Sequence, residues 1–317
     1  MLLIEDNRLI NDTACVIRLL AVVGYFFLAV PAAEADETES TKFIGDMASL
    51  KDDSYDGWFE SNLPYFLYDR GTGVTTSLFG AYVRKGELLL YPFYEYEREE
   101  HFDYNPADFG INNDADFVGV GNLNEFLLFA AYGLTKNLAV ELEFSVYEEQ
   151  SINRSKADVA PGPRTLSESG IGAFQTELRW RMIQENEWRP EFYSNIEVVF
   201  PLQPNRMLIG QQEWELVYGI GMVKGFSWGT LTARASITHE PDIDHTQFGE
   251  YAVEYLKRFG DNLRWVMTLE GNDKELASIF ELQWFFNKDA FLKLNTGIGL
   301  TQETPDFAPE IGVMFRF

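Results

Sequence analysis

Charged side chains recur at every second position along many apolar segments of this 317-residue chain. Glu141 and Glu143, for example, alternate with Leu142 and Phe144. Successive side chains of an extended strand point to opposite faces, so such a segment carries its charges on one face and its apolar groups on the other. Sixteen of these charged residues are predicted to line the interior of a closed sheet: Glu95, Glu141, Glu143, Glu177, Arg179, Arg181, Glu197, Arg234, Glu254, Arg258, Arg264, Glu270, Glu281, Lys293, Glu310 and Arg316.

Two kinds of chemistry are open to such an inner face. If water fills the interior, the glutamates line a pore whose excess of acid favours cations or polar solutes over anions. If water is excluded, the carboxylates pair with arginine and lysine across a narrow lumen, because buried carboxylates need partners. The two arrangements are compatible, since a narrow path can run beside an ion-pair network.

Three histidines are the other candidates for chemistry. His239, Asp242, Asp244 and His245 lie close together in sequence and could ligate a divalent cation, although a solvated acidic loop is the commoner meaning of such a group. A Ser–His hydrolase needs its base beside a lipid-facing serine, whereas His101, His239 and His245 are all predicted in connections. We therefore expect no catalytic residues, no metal site and no cofactor.

The elements that must position the charged residues are strands of about ten residues. The clearest extends from Leu138 to Val146, where a helix would leave no apolar stripe. Twelve such segments follow one another between residues 86 and 317. A soluble lipocalin-like barrel would have eight strands and an apolar interior, whereas the inner face predicted here is charged.

The connections between these segments alternate between short and long. Short ones such as 133–137 contain Asn and Gly, which suit tight turns. The longest are predicted at 99–121 and 149–171, and one of intermediate length at 240–248. This alternation and the even strand number predict an all-β fold: a transmembrane antiparallel up-and-down β-barrel of about 12 strands over residues 86–317.

The pattern of the N-terminal region predicts that the protein is exported. Arg18 precedes a run of about a dozen apolar residues, and a small-residue site ends at Ala35, so residues 1–35 are predicted to be a cleaved signal peptide. Cys15, the only cysteine, would be lost with it. Residues 36–85 do not alternate and are predicted to form a periplasmic leader or plug-like segment. The formal charge of −25 argues against nucleic acid as a partner.

The C-terminal strand ends in an aromatic residue. Val313, Phe315 and Phe317 lie on one predicted face with Ile311. Outer-membrane barrels typically end in this way, and the barrel-assembly machinery is thought to recognise that strand. The sequence thus predicts the outer membrane of a Gram-negative cell, with lipid and lipopolysaccharide around the barrel and both barrel termini in the periplasm.

Several strand-and-turn segments resemble a known family. They are Gly86–Leu88 leading to Tyr91–Tyr96, Tyr132–Thr135, Gly172 with Glu177–Arg181, and Phe200–Leu202. These segments resemble the outer-membrane barrel family labelled "meta-pathway of phenol degradation", over roughly residues 86–317. The resemblance implies a twelve-stranded, transporter-like barrel, and it carries over no functional residues.

Taken together, these patterns predict a porin-like protein that is not an enzyme. We expect a passive channel or transporter for a small solute, whose identity the sequence does not give. The alternative is a structural or adhesive barrel with a salt-bridge-filled lumen, and a more remote one is an outer-membrane hydrolase.

Overall fold

The computed structural model describes residues 63–242 and 244–317. The predicted signal peptide, its cleavage site after Ala35 and residues 36–62 lie outside the described residues. No helix of the described part is long and apolar enough to cross a membrane.

A closed antiparallel barrel of twelve strands makes up most of the described chain. The prediction of this fold is confirmed. The twelve strands are β3 (Leu88–Tyr104), β4 (Phe117–Thr135), β5 (Leu138–Asn153), β7 (Phe174–Ile183), β8 (Glu191–Phe200), β9 (Glu215–Phe226), β10 (Gly229–Glu240), β11 (His245–Phe259), β12 (Leu263–Gly271), β13 (Leu276–Phe285), β14 (Ala290–Gly299) and β15 (Ala308–Arg316).

The barrel closes where its last strand pairs with its first. Ile311 of β15 lies opposite Tyr94 of β3, and Phe315 lies opposite Leu90. The backbone N–H of Phe317 donates to the carbonyl of Leu88 at 2.9 Å, which completes this seam. No edge strand is left in the wall, so every strand has two hydrogen-bonded neighbours.

Three short strands of the described chain lie outside the wall. β1 (Val74–Thr75) and β2 (Tyr82–Val83) pair only with each other, and β6 (Thr165–Gly170) extends the pairing of β5 beyond β7. Within residues 63–242 and 244–317, two 3-10 helices cover Tyr65–Leu67 and Pro106–Phe109.

Two of the predicted long connections are partly strand. β3 continues to Tyr104 and β5 to Asn153, so the predictions of loops at 99–121 and 149–171 were wrong in their bounds. The predicted connection at 240–248 is likewise reduced to 241–244 between β10 and β11. These strand ends carry polar residues on both faces. They project beyond the apolar belt, where no lipid imposes an alternation of apolar and polar side chains.

The outer face of the wall is apolar. Trp180, Ile196 and Trp284 are exposed by 53%, 49% and 51% in the isolated chain. Exposed aliphatic and aromatic side chains of this kind occur on all twelve strands. A continuous apolar surface of this extent is unfavourable in water and favourable in a hydrocarbon layer.

Candidate functional site

The sixteen predicted lumen residues all lie on the face opposite to the apolar belt. Nine of them are buried, namely Glu141, Glu177, Arg179, Arg181, Glu254, Arg258, Arg264, Glu281 and Lys293. The other seven are half-buried, namely Glu95, Glu143, Glu197, Arg234, Glu270, Glu310 and Arg316. Their role as pore lining stays a prediction.

Residues 63–85, here called the inner segment, lie inside the barrel. The backbone N–H and the hydroxyl of Ser77 donate to Glu141 on β5, at 2.8 and 2.6 Å. The N–H of Gly80 donates to Glu254 on β11 at 3.1 Å. In a ring of twelve strands β5 and β11 are five apart, so a segment that bonds to both crosses the lumen.

A buried ion cluster holds the start of the inner segment. Arg70 lies 3.0 Å from both Glu185 and Glu191, and all three side chains are almost completely buried. Glu191 also contacts Arg181 at 3.0 Å, and Glu185 contacts Lys224 at 2.9 Å. Each buried carboxylate therefore has two cationic partners, which burial of a charge requires.

A second set of contacts, with β11, holds Asp69, the residue that precedes Arg70. Asp69 accepts a hydrogen bond from the backbone N–H of Arg258 at 2.9 Å and contacts Lys257 at 3.3 Å. Nearby on β9, a Cβ added to Gly225 would lie 1.7 Å from the carbonyl oxygen of Phe66. Only glycine permits the segment's backbone to come this close to the wall.

One sector of the lumen is apolar, contrary to the prediction that the inner face is charged. Val74, Ala81 and Val83 of the inner segment pack against wall residues in a buried cluster. The wall residues are Leu89, Tyr91, Phe93, Leu127, Phe129, Ala131, Ala139, Phe285, Phe291 and Met314. The sequence does carry a signal for this sector, because 88–93 and 127–131 are apolar at both parities and therefore on both faces of their strands.

A cavity of about 340 Å³ occupies the lumen beside the inner segment. Ser77, Leu78 and Phe79 form part of its wall. Six glutamates line it together with one arginine and one lysine: Glu95, Glu97, Glu250, Glu270, Glu275, Glu310, Arg234 and Lys293. The side chain of Glu250 is 62% exposed, so the cavity communicates with solvent. Carboxylates therefore outnumber cationic side chains in this water-accessible part of the lumen.

Arg234 joins the cavity to the inner segment. Its guanidinium contacts Glu270 at 2.5 Å and Glu250 at 3.4 Å, and donates to the carbonyl of Ser77 at 3.2 Å. It also lies over the ring of Phe79, 4.5 Å from the ring centroid, in cation–π geometry. One side chain therefore binds both the acids of the cavity and the tip of the segment.

The barrel end with the longer connections has an ordered rim. Arg154 contacts Asp158 at 2.6 Å, and Tyr104 donates to the same carboxylate at 3.0 Å. The hydrogen bond from Arg154 holds the pKa of Asp158 well below its usual value. Ile152 and Ile209 belong to a small apolar cluster beneath this rim.

The histidines lie on strands, so the prediction that they lie in connections was wrong. His101 is in β3, His239 in β10 and His245 in β11, because these strands extend farther than their alternation indicates. His239 contacts the hydroxyl of Thr246 at 2.9 Å. Across residues 63–242 and 244–317, no three His, Cys, Asp or Glu side chains converge to hold a metal ion.

Comparison with solved structures identifies several similar proteins. An outer-membrane channel from Pseudomonas putida F1 is 13% identical, with a TM-score of 0.51, over 73% of this chain and 95% of that one. The KdgM porin is 7% identical, with a TM-score of 0.46, over 72% and 99%. Outer membrane phospholipase A from Escherichia coli is 12% identical, with a TM-score of 0.38, over 71% and 92%.

The first of these similarities shows the fold, that of an outer-membrane barrel. No family model and no curated protein sequence matches the chain. The resemblance to the "meta-pathway of phenol degradation" family therefore stays a prediction.

Proposed function

We propose that this protein is a passive outer-membrane channel for small polar or cationic solutes. The observation that carries the proposal is the cavity of about 340 Å³, in which six glutamates outnumber one arginine and one lysine. A ring of carboxylates within a pore attracts cations and repels anions. The apolar belt supports a position in a lipid bilayer.

The lengths of the connections support the orientation that we propose. Five of them are short turns and lie at the end of the barrel where Leu88 and Phe317 meet. By analogy with outer-membrane barrels in general, this short-turn end faces the periplasm and the cavity opens on the outer side. Lipopolysaccharide, and the assembly machinery acting on Val313, Phe315 and Phe317, are the further partners we propose.

Planar-bilayer recording of the purified protein tests this function. We expect discrete conductance steps whose reversal potential in a KCl gradient shows a preference for K⁺. The double variant Glu97→Gln/Glu275→Gln removes two cavity charges and should lower that preference several-fold. Glu187→Gln, in an exposed turn at the opposite end, removes a charge outside the cavity and should leave it unchanged. Equal permeability to K⁺ and Cl⁻ in the wild type would contradict the proposed selectivity.

A structural or adhesive barrel is the second candidate. The observation that favours it is the filling of the lumen by the inner segment and its ion pairs. This candidate predicts no conductance under any condition, including those that displace the inner segment. The two candidates are thereby distinguishable.

A further inference from the structure

We propose that the inner segment is a gate that Arg234 holds closed. A cationic solute in the cavity opens this gate by competing for the carboxylates that orient Arg234. This inference rests on the proposed channel function and extends it to regulation. It concerns residues 63–85 as a movable part of the lumen.

The first step is that the short-turn half of the lumen is closed. Val74 and Val83 of the inner segment are 0% exposed, as are Tyr91 and Phe129 of the wall against which they pack. Apolar surfaces in contact leave no room for water between them. A solute in the cavity cannot reach the other end of the barrel unless the segment moves.

The second step is that the segment can move without breaking the wall. Among the described residues, its two strands pair only with each other, through Val74 with Val83 and Thr75 with Tyr82. The wall closes independently, through β15 and β3. Displacement therefore breaks contacts between the segment and the wall but leaves the hydrogen-bond ladders of the barrel intact.

The third step is the coupling between solute and gate. Arg234 bonds to the carbonyl of Ser77, lies over Phe79, and is held in place by Glu250 and Glu270. A cationic solute that binds these glutamates competes with Arg234 for them and repels its charge. Arg234 then loses the carboxylates that orient it, and its hold on the tip of the segment weakens.

A reversible disulfide tests whether the segment must move. A Cβ at Gly80 would lie 2.9 Å from Cγ2 of Val266 on β12, so cysteines at these two positions would be close enough to cross-link once the local backbone adjusts. In a Cys15→Ser background, we expect oxidised Gly80→Cys/Val266→Cys to lose at least nine-tenths of its conductance. A reductant should restore it in the same membrane. Each single cysteine variant is the control and should not respond to oxidant.

The outcomes separate the gate from the channel. If the oxidised double variant conducts as well as the reduced one, the inner segment is not a gate, but the proposed channel function stands. If the protein is silent whether oxidised or reduced, and Arg234→Gln is silent as well, the channel function itself fails.

Arg234→Gln also covers the case in which the cysteine pair does not fold, since Gly80 has a φ of +67°. We expect this variant to raise the open probability several-fold over wild type. Arg206→Gln is the matched control, because the Arg206 side chain is exposed and its one ion pair among the described residues is with Glu168, at 3.8 Å. If the open probability of Arg234→Gln equals that of wild type, Arg234 does not hold the gate closed.

Putrescine serves as the cationic probe of the coupling, and succinate as the anionic control. Putrescine added on the cavity side should raise the open probability of the wild type and should have no further effect on Arg234→Gln. An equal response of both proteins, or an equal effect of succinate, would refute the coupling.

Discussion

Arg179 shows how a single lumen residue joins the wall to the inner segment. Its guanidinium contacts Glu177 at 2.5 Å and Glu141 at 3.5 Å, and donates to the carbonyl of Thr76 at 3.0 Å. The side chain is buried, so each of these charges depends on the others for compensation. The same Glu141 accepts both hydrogen bonds of Ser77, which places the cluster at the tip of the segment.

At this scale we predict that Arg179→Met is strongly destabilising. It leaves two buried carboxylates without their cation, which costs roughly 3–5 kcal/mol of the free energy of unfolding. Urea unfolding in detergent micelles, followed by tryptophan fluorescence, measures the difference. Arg206→Met, on an exposed side chain, should change the free energy by less than about 0.5 kcal/mol. Similar values for the two variants would mean that the cluster around Arg179 does not stabilise the barrel.

The strands differ in what their two faces carry. Strands such as β8 alternate strictly, with Ile196 exposed by 49% and Glu197 half-buried. β3 and β4 begin or end with runs that are apolar on both faces, and these runs pack against the inner segment. The lumen is thus divided into a polar sector and an apolar one by the strands that bound it.

At the scale of the strand, Ile196→Arg tests which face meets lipid. An arginine on the lipid face near the midplane costs roughly 2–4 kcal/mol. The measurement is the free energy of unfolding after refolding into phospholipid vesicles. Ile196→Val keeps the position apolar and should cost less than about 0.5 kcal/mol. If the arginine variant is as stable as wild type, Ile196 does not face lipid and the assignment of the two faces of β8 is wrong.

The C-terminal strand gives a second prediction at this scale. Phe317 is 71% exposed, and its contribution to the seam comes from its backbone, which pairs with Leu88. Phe317→Ala should therefore refold in detergent with wild-type yield and stability. In cells, we expect at least a several-fold loss of heat-modifiable barrel from the outer membrane, because the aromatic end is the proposed assembly signal. An equal loss of folded barrel in detergent and in cells would show that Phe317 has a structural role instead.

The whole molecule presents acid at the cavity mouth and apolar packing at the short-turn end. Selectivity should therefore arise from the field of the cavity rather than from a narrow filter. Screening shortens the reach of that field from about 10 Å at 0.1 M salt to about 3 Å at 1 M.

At the scale of the whole molecule, we predict that cation preference falls as salt rises. The ratio of K⁺ to Cl⁻ permeability should drop several-fold between gradients centred on about 0.1 M and about 1 M KCl. Reversal potentials of the same channels in both gradients give the two ratios. A ratio that is independent of salt would point to direct coordination at a constriction.

Much of the barrel follows from the sequence. The period-2 alternation between residues 86 and 317 predicts twelve strands, their facing and the sixteen inward charges, because strand geometry ties parity to face. The bounds of β3 and β5 did not follow from the pattern. Beyond the lipid both faces of a strand meet water, so pairing persists where alternation stops.

The sequence by itself determined that the charges of Glu141, Glu177 and Arg179 share the inner face. Only the tertiary structure decided that Arg179 pairs with both carboxylates, that Glu141 accepts from Ser77 and that Arg179 donates to Thr76 of the inner segment. The physical reason is that parity is a local property of each strand. The course of residues 63–85 through the lumen instead depends on contacts between positions far apart in the chain, for which a non-repeating segment carries no periodic signal.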